Sequence, residues 1–232
     1  MTFYSSHEQD KFLEMNVFKG LKNGTFVDVG AHDGVSINNT LYFEKSNNWK
    51  GINIEPNIDV YNALKTNRPE CINLNCAVSV KDGTAEFILN KGYTEMISGL
   101  KESFDPRHVN RLNEEKKKFG GTSETVIVNT KRLETIFDDY KMKNIHYLSI
   151  DVEGAEFDVI KSIDFDKVFI DVICFEVNYE DSGVPIILYL QEKNYLIIFK
   201  LLDIIMIHKN SKFYVKNNIE TYMLKVKDKP KK

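Results

Sequence analysis

The sequence predicts an α/β protein with a mostly parallel β-sheet covered by helices on both faces. Short apolar runs alternate with helix-length segments over most of the chain, which is typical of parallel strands joined by crossover helices. Near the C-terminus, the apolar runs 195–201 and 204–208 are separated only by Leu202 and Asp203. Because so short a connection cannot hold a crossover helix, these two runs should pair as an antiparallel hairpin that closes the sheet.

The first half of the chain contains the elements that start this sheet. Phe26, Val27 and Val29 suit a buried first strand, and a segment with partly buried apolar residues predicts a helix over 38–46. A second apolar run, an alternating segment and a run after a Lys-Asp-Gly turn predict three more strands. Their bounds are 49–54, 71–79 and 83–89, and a further helix is predicted at 59–67.

The regular alternation stops at 91–124 and then returns. This segment is polar, and only 105–119 within it has the pattern of a solvated helix. We therefore expect an insertion that acts as a lid or recognises a substrate. The later elements have the same apolar patterns as the earlier ones. Strands are predicted at 125–129, 146–152 and 168–177, and helices at 132–140, before 162 and at 185–192.

Length and composition favour a single domain. A chain of 232 residues with 42% hydrophobic residues can fill one core, which we place at 25–225, with a helical lead-in at 1–24 that could also cover a ligand and a basic tail at 226–232. The net charge of −3, with both signs spread along the chain, argues against a general affinity for nucleic acid or membranes. No apolar run approaches the roughly 20 residues of a membrane span and no signal-peptide pattern is present, so we expect a soluble, cytoplasmic protein.

Three strand ends predict a ligand site. The first strand leads through Asp28 into the turn 30–34, the second ends at Glu55, and a later central strand ends at 151–154. Carboxyl ends of parallel strands meet at one edge of a sheet, where glycines let the backbone turn sharply and an acid can accept the hydroxyls of a ribose. Gly30 and Gly34 form G-x-x-x-G, not the G-x-G-x-x-G of a dinucleotide site, which disfavours a nicotinamide cofactor.

Several segments resemble the FkbM family of S-adenosylmethionine-dependent methyltransferases. They are FVDVGAHDG at 26–34, WKGINIEPN at 49–57, NCAVS at 75–79, SG at 98–99 and SIDVEGAE at 149–156, in the order found in the family. The resemblance runs from about residue 25 to about residue 208. It implies a class I methyltransferase (Rossmann-like) fold, in which a seven-stranded, mostly parallel sheet has helices on both faces and an antiparallel last strand. The hairpin inferred above agrees with this fold.

The resemblance also implies how S-adenosylmethionine would bind. The first turn would hold its methionine half, Glu55 its ribose, and the second and third strand ends would border its adenine. His32 stands where the family commonly has Asn, so cofactor affinity could depend on pH; alternatively, His32 only donates a hydrogen bond within the turn. The residues so implied are Asp28, Gly30, Ala31, His32, Asp33, Gly34, Glu55, Pro56, Asn57, Ala77, Val78, Ser79 and Asp151.

Members of the family generally methylate oxygen, often a hydroxyl of a sugar or of a glycosylated natural product, which implies a glycan or small-molecule acceptor. A hydroxyl is a weak nucleophile, so a base within hydrogen-bond reach helps to remove its proton. Asp151 and Glu153 alternate along extended chain, and we expect Asp151 to orient the cofactor or acceptor and Glu153 to act as the base. Glu176 and Asn178 share this spacing after the next strand, Glu176 as a further catalytic candidate and Asn178 as an acceptor contact. Either pair could instead be structural.

Two further expectations concern metals and the acceptor. The clustered carboxylates could bind magnesium, but no dedicated ligand motif is present, so we assign no metal-binding residue. Within 91–124, Ser98 is expected near the cofactor, whereas Arg107, His108 and Arg111 could grip a phosphate or an acidic sugar. The alternative for these three residues is a solvated surface helix.

Other functions stay open at this point: a nicotinamide-dependent oxidoreductase, a non-catalytic nucleotide-binding module, and a methyltransferase that acts on a nucleic-acid ribose. The glycine pattern and the hairpin oppose the first. Single-strand binders use aromatic residues interleaved with basic ones, which this chain lacks, and its acidic net charge also opposes a nucleic-acid partner. The oligomeric state is open and includes a homo-oligomer.

Overall fold

The computed structural model describes residues 1–179, 181–200 and 202–214. The predicted basic tail at 226–232 lies outside these residues. The strands are β1 (Thr25–Val29), β2 (Lys50–Ile54), β3 (Ile72–Leu74), β4 (Ala77–Val78), β5 (Gly83–Lys91), β6 (Gly99–Leu100), β7 (Thr122–Lys131), β8 (Asn144–Ile150), β9 (Phe169–Glu176), β10 (Tyr195–Lys200) and β11 (Asp203–His208). The α-helices are α1 (Gln9–Leu13), α2 (Leu41–Asn47), α3 (Ile58–Asn67), α4 (Pro106–Phe119), α5 (Leu133–Asp139), α6 (Glu156–Lys161) and α7 (Gly183–Glu192).

The central sheet has seven strands in the order β10-β11-β9-β8-β1-β2-β3. Strand β1 pairs in parallel with β2 and β8, and the pairs β2–β3 and β8–β9 are also parallel. Strand β11 runs antiparallel to both β9 and β10. The structure therefore confirms the predicted seven-stranded, mostly parallel sheet and its C-terminal hairpin. The carboxyl ends of the five parallel strands β1, β2, β3, β8 and β9 lie along one edge.

Apolar clusters attach helices to both faces of this sheet. Val27 of β1 belongs to the cluster that contains the buried side chains of α5, α6 and α7, whereas its neighbour Phe26 belongs to the aromatic cluster beneath α1 and α2. Adjacent strand residues point to opposite faces, so this division follows directly from the sequence. Trp49 is buried in the aromatic cluster and its Nε1 donates to the Leu21 carbonyl at 2.7 Å, which attaches the N-terminal segment to the domain. Among the described residues, no helix is both long and apolar enough to cross a membrane.

The prediction of one strand over 71–79 is wrong. The segment forms β3 in the central sheet and β4 in a second, four-stranded sheet of order β4-β7-β5-β6. The break falls near Asn75, whose Nδ2 donates to the carbonyl oxygens of Glu55 and Pro56 at 2.9 Å each. These hydrogen bonds hold Asn75 against the end of β2, so the chain leaves the central sheet there.

The segment 91–124 is more regular than we expected. It contains the 3₁₀ helix Gly92–Ile97, strand β6 and the predicted helix α4, and it starts with the end of β5 and finishes with the start of β7. Strands β5 and β7 pair antiparallel from Gly83↔Thr130 to Lys91↔Thr122. The segment that we expected to be irregular therefore connects the distal ends of these two long strands and includes helix α4. Asp105 caps α4 by accepting from the Arg107 N–H at 2.7 Å.

Candidate active site

A cavity of about 340 Å³ opens at the carboxyl ends of β1, β2, β8 and β9. Its wall combines residues from these strand ends with residues from the second sheet, from α4 and from the N-terminal segment. The predicted site residues that line it are Asp28, Gly30, Ala31, His32, Glu55, Pro56, Asn57, Ala77, Val78, Ser98, Asp151, Glu153 and Glu176. The structure thus brings the three predicted strand ends together around one space.

The turn after β1 is shaped by the backbone of β8. Gly30 has a φ of +83°, and a Cβ there would collide with the carbonyl oxygen of Asp151. The N–H groups of Gly30 and Ala31 donate to the Ile54 carbonyl at 3.0 and 3.1 Å, so the turn is also attached to β2. Glycine is therefore required at position 30 for packing of the protein itself, before any ligand is considered.

Asp28 holds the loop that follows this turn. Its buried carboxylate accepts from Asn38 Nδ2 at 2.8 Å and from Thr40 Oγ1 at 2.9 Å. Burial raises the pKa of Asp28, and the charge of Arg68 opposes this rise. Arg68 is completely buried, forms an ion pair with Glu44 and donates to the Gly34 carbonyl at 3.0 Å. The predicted contact of Asp28 with the methionine half stays a prediction, because the contacts observed here are with the loop.

Glu55 is the buried acid that closes β2. Its Oε1 accepts from the Asn57 N–H at 2.7 Å and its Oε2 from the His32 N–H at 3.1 Å. Burial raises the pKa of Glu55 to about 7, although both N–H groups favour the charged form. Asn57 also caps α3, since its Oδ1 accepts from the Asp59 N–H at 3.1 Å. Each Glu55 oxygen retains lone pairs that can accept from a ligand hydroxyl.

His32 connects the first turn to the second sheet. Its φ is +50°, and its ring Nε2 lies 3.1 Å from Glu95 Oε1 in the 3₁₀ helix Gly92–Ile97. The expectation that His32 only donates a hydrogen bond within the turn is therefore wrong, because its backbone N–H donates to Glu55 and its ring contacts Glu95. Asp33 and Glu95 are the charged groups nearest to this ring, with Asp33 Oδ1 at 3.6 Å from Nδ1.

Three residues predicted to bind the cofactor do not line the cavity. Asp33 accepts from the N–H groups of Val35 and Ser36, which closes the turn locally. Gly34 faces α3, where a Cβ would lie 2.6 Å from atoms of both Arg68 and Leu64. The backbone N–H of Ser79 donates to the Lys131 carbonyl, beyond the end of β4. The family resemblance implied that all three border the cofactor, but in this structure their contacts lie outside the cavity.

The end of β8 and the end of β9 bring three carboxylates together. One carboxylate oxygen from each of Asp151, Glu153 and Glu176 lies within 4.8 Å of the other two. Asp151 is exposed to solvent on the side of the cavity and has protein around it on its other sides. The surrounding protein, followed by the charges of Glu176 and Glu153, raises the pKa of Asp151 well above its usual range. Burial and the charge of Glu176 raise the pKa of Glu153 to about 8, and burial raises that of Glu176 to about 7. Such groups are suited to accept or hold a proton near neutral pH.

Glu153 has two polar neighbours that the sequence assigned to the acceptor. His108 Nε2 lies 3.4 Å from Glu153 Oε2, and Asn178 Nδ2 lies 3.4 Å from the same oxygen and 2.8 Å from Glu176 Oε2. Neither His108 nor Asn178 lines the cavity. Glu153 itself has a φ of +56°, a conformation that costs energy for a residue with a side chain. Asn178 thus connects the Glu153 and Glu176 carboxylates.

The other residues predicted within 91–124 differ in their relation to the cavity. Arg107 lies outside the cavity wall, where its guanidinium pairs with Asp105 and Asp181 and lies 4.0 Å from the centre of the Tyr179 ring. Ser98 lines the cavity, but its hydroxyl donates to the Glu95 carbonyl at 2.6 Å and so closes the 3₁₀ helix. Arg111, one helical turn after Arg107, does line the cavity.

Several polar residues of the wall that were not predicted individually come from two distant parts of the chain. They are Ser6, His7 and Gln9 from the N-terminal segment and Asp203 from the start of β11. The sequence indicated only that the lead-in could cover a ligand. Asp203 pairs in register with Glu176, so its position depends on the hairpin register, which no local motif reveals.

The fold and this cavity together define the class of protein. A seven-stranded sheet with an antiparallel β11 between β9 and β10, and a cavity at the carboxyl ends of the parallel strands, is the arrangement of a class I methyltransferase. The sequence profile of the methyltransferase FkbM domain matches residues 28–197, and the chain belongs to that family. The predicted family is thereby confirmed.

Solved structures with a similar fold share little sequence with this chain. One is a methyltransferase FkbM from Methylobacillus flagellatus KT, with 14% identity, a TM-score of 0.47 and coverage of 80% of this chain and 44% of that chain. Another is precorrin-6y C5,15-methyltransferase from Geobacter metallireducens GS-15, with 13% identity, a TM-score of 0.41 and 82% coverage of both chains. The chain thus spans less than half of the Methylobacillus protein. A search of curated proteins finds no significant match.

Proposed function

We propose that the protein is an S-adenosylmethionine-dependent O-methyltransferase that methylates a hydroxyl of a sugar, a glycan or a glycosylated small molecule. One observation carries the proposal: a buried acid at the end of β2 and a proton-holding acid cluster at the ends of β8 and β9 face the same cavity. The first suits the ribose of a nucleoside-type donor, and the second suits proton removal from a hydroxyl.

The cofactor half of the cavity has groups of the right chemistry. S-adenosylmethionine supplies an electrophilic methyl group on a sulfonium centre. Glu55 would accept from the ribose hydroxyls, Ala77 and Val78 would form an apolar wall for the adenine, and the turn at Gly30 would border the methionine half; all four residues line the cavity. Both Ala77 and Val78 are buried and present no charge, as a flat aromatic base requires.

Glu153 is the proposed base. Its carboxylate takes the proton from the acceptor hydroxyl while the hydroxyl oxygen bonds to the methyl carbon and the carbon–sulfur bond breaks, the sulfur keeping the electron pair. A base with a pKa near the working pH performs this task well, and that of Glu153 is about 8. Asp151, between the two halves, orients the reacting groups. The protein contributes mainly by holding oxygen, carbon and sulfur in line.

Ligand-induced thermal stabilisation tests the cofactor assignment. S-adenosylhomocysteine should raise the melting temperature, whereas NAD and a single-stranded RNA oligonucleotide should not, because a ligand that binds the native state alone stabilises it. Glu55→Gln should reduce the S-adenosylhomocysteine shift, and the exposed Glu70→Gln serves as the matched control. A shift with NAD and none with S-adenosylhomocysteine would overturn the proposal.

Product analysis tests the reaction. After incubation with S-adenosylmethionine and a panel of nucleotide sugars and oligosaccharides, mass spectrometry should detect addition of one methyl group to an oxygen of an acceptor. Glu153→Gln should abolish product formation and leave S-adenosylhomocysteine binding intact. Methylation that persists unchanged in Glu153→Gln would remove Glu153 as the base, and a product methylated on nitrogen or carbon would contradict O-methylation.

A further inference from the structure

The half of the cavity beyond β1 is rich in acids. Strands β8, β9 and β11 lie on the side of β1 opposite to β2, so their residues are separated from the proposed ribose site at Glu55. Asp151, Glu153 and Glu176 stand there with oxygens within 4.8 Å, and Asp203 pairs directly with Glu176 across β9 and β11. Like charges in such a pair destabilise a sheet, so their presence here is costly to the fold.

Few cations compensate these acids. Among the described residues that line the cavity, Arg111 is the single arginine or lysine, and its Nε already donates to Glu115 Oε1 at 2.8 Å. His108 does not supply a second positive charge, because burial and then the charge of Arg111 lower its pKa. Its Nε2 is buried, has no hydrogen-bond partner and points at Glu153 Oε2 from 3.4 Å.

The N-terminal segment holds this end of the cavity in place. The buried amide of Gln9 donates to Asp203 through Nε2 and accepts from the His7 N–H at 2.9 Å through Oε1. Asp10, also buried, accepts from the Tyr4 N–H at 2.6 Å and attaches the preceding residues to α1. These residues and Asp203 lie outside the family match at 28–197, whereas Asp151, Glu153 and Glu176 lie inside it.

The acidic residues at this end of the cavity favour ligands of one charge over the other. Burial and mutual repulsion keep these carboxyl groups partly protonated near neutral pH. A negative ligand group would oppose their ionisation further. An ammonium group would instead favour their ionised form and donate hydrogen bonds to it. The sequence suggested a grip on phosphate by Arg107, His108 and Arg111, but Arg107 lies outside the wall and His108 is held neutral.

We propose that the acceptor end of the cavity takes a hydroxyl compound with a positively charged amino group, such as an amino sugar, and discriminates against phosphorylated or carboxylated acceptors. This inference rests on the proposed function, because it assumes that Glu55 marks the cofactor end.

Three probes that share one sugar ring test it: methyl glucosaminide, methyl glucoside and methyl glucuronide, which are cationic, neutral and anionic. Each is titrated into protein saturated with S-adenosylhomocysteine and followed by NMR. The glucosaminide should bind about tenfold or more tightly than the glucuronide, with the glucoside between them, and added salt should reduce the difference. Asp203→Asn should narrow the preference, whereas Asp166→Asn, the same change at an exposed position, should not.

Several outcomes would overturn the inference. Tightest binding of the glucuronide, a preference equal in Asp203→Asn and Asp166→Asn, or no binding of any probe to the saturated protein each contradicts it. Failure of S-adenosylhomocysteine to bind at all would instead refute the proposed function. Because the salt dependence is measured on the unmodified protein, the test does not depend on whether Asp203→Asn folds.

Discussion

Gly30→Ala tests whether the turn after β1 is dictated by the approach of β8. The added Cβ would collide with the carbonyl oxygen of Asp151, and both atoms belong to backbone that no rotamer change can move. Asp151 cannot retreat freely either, since its N–H donates to the Val29 carbonyl at 2.9 Å. The substitution must therefore distort the junction of β1 and β8 at the centre of the sheet.

The expected loss of stability has two parts. A left-handed backbone costs a non-glycine residue about 1–2 kcal/mol, and forcing an extra methyl group into a packed interior costs about 1–3 kcal/mol. Together they predict a fall of roughly 2–5 kcal/mol in the free energy of unfolding. Gly20 provides the matched control, because its φ of +82° is nearly the same and nothing lies within 4 Å of its added Cβ.

Urea unfolding of both variants measures the difference. Gly20→Ala should show only the backbone part, about 1–2 kcal/mol, and Gly30→Ala should lose both parts together with S-adenosylhomocysteine binding. If the two variants unfold within about 0.5 kcal/mol of each other, a difference typical of surface substitutions, the collision argument is refuted.

The other predictions concern charge. Because ribose hydroxyls bind the ionised form of Glu55, whose pKa is about 7, S-adenosylhomocysteine affinity measured by calorimetry should be full above pH 8 and fall below pH 7; a flat profile would contradict this. Arg111→Ala should move the rising limb of the pH–rate profile to higher pH, because its charge lowers the pKa of Glu153, whereas Arg107→Ala should leave the profile unchanged; equal shifts would contradict the site as described. Arg68→Met should cost about 3–5 kcal/mol in denaturant unfolding, because it removes a fully buried guanidinium and leaves the half-buried Glu44 without its ion-pair partner. A loss below about 1 kcal/mol would mean that the pair contributes little.

Most of the central sheet was predictable because its signals are local. Apolar runs of strand length, helix-length segments and a hairpin connection too short for a crossover each depend on neighbouring residues, and the structure confirms the sheet that they predict. The errors occur where a distant contact decides. The predicted strand 71–79 is divided in two at Asn75, because the Asn75 side chain donates to the Glu55 carbonyl at the end of β2. These two residues are about twenty positions apart in the sequence.

The site shows the same division. Glu55, Asp151 and Glu153 were recognised because acids at strand ends share an edge of a parallel sheet. Asp33 and Ser79 also follow the ends of predicted strands, yet neither residue lines the cavity. The contact of His108 with Glu153 joins α4 to the end of β8, and nothing in the sequence of either segment reveals it.

The fold class, the family and the edge of the sheet at which the site lies could be read from periodicity and from short motifs in order. Which side chains form the walls of the cavity, and what charge they present, depends on tertiary packing. Burial raises the pKa values of Asp151, Glu153, Glu176 and Asp203, and the charges of neighbouring acids raise those of the first three further. Both effects depend on strand register and on packing around the cavity. Those are distances in space, which spacing along the chain does not encode.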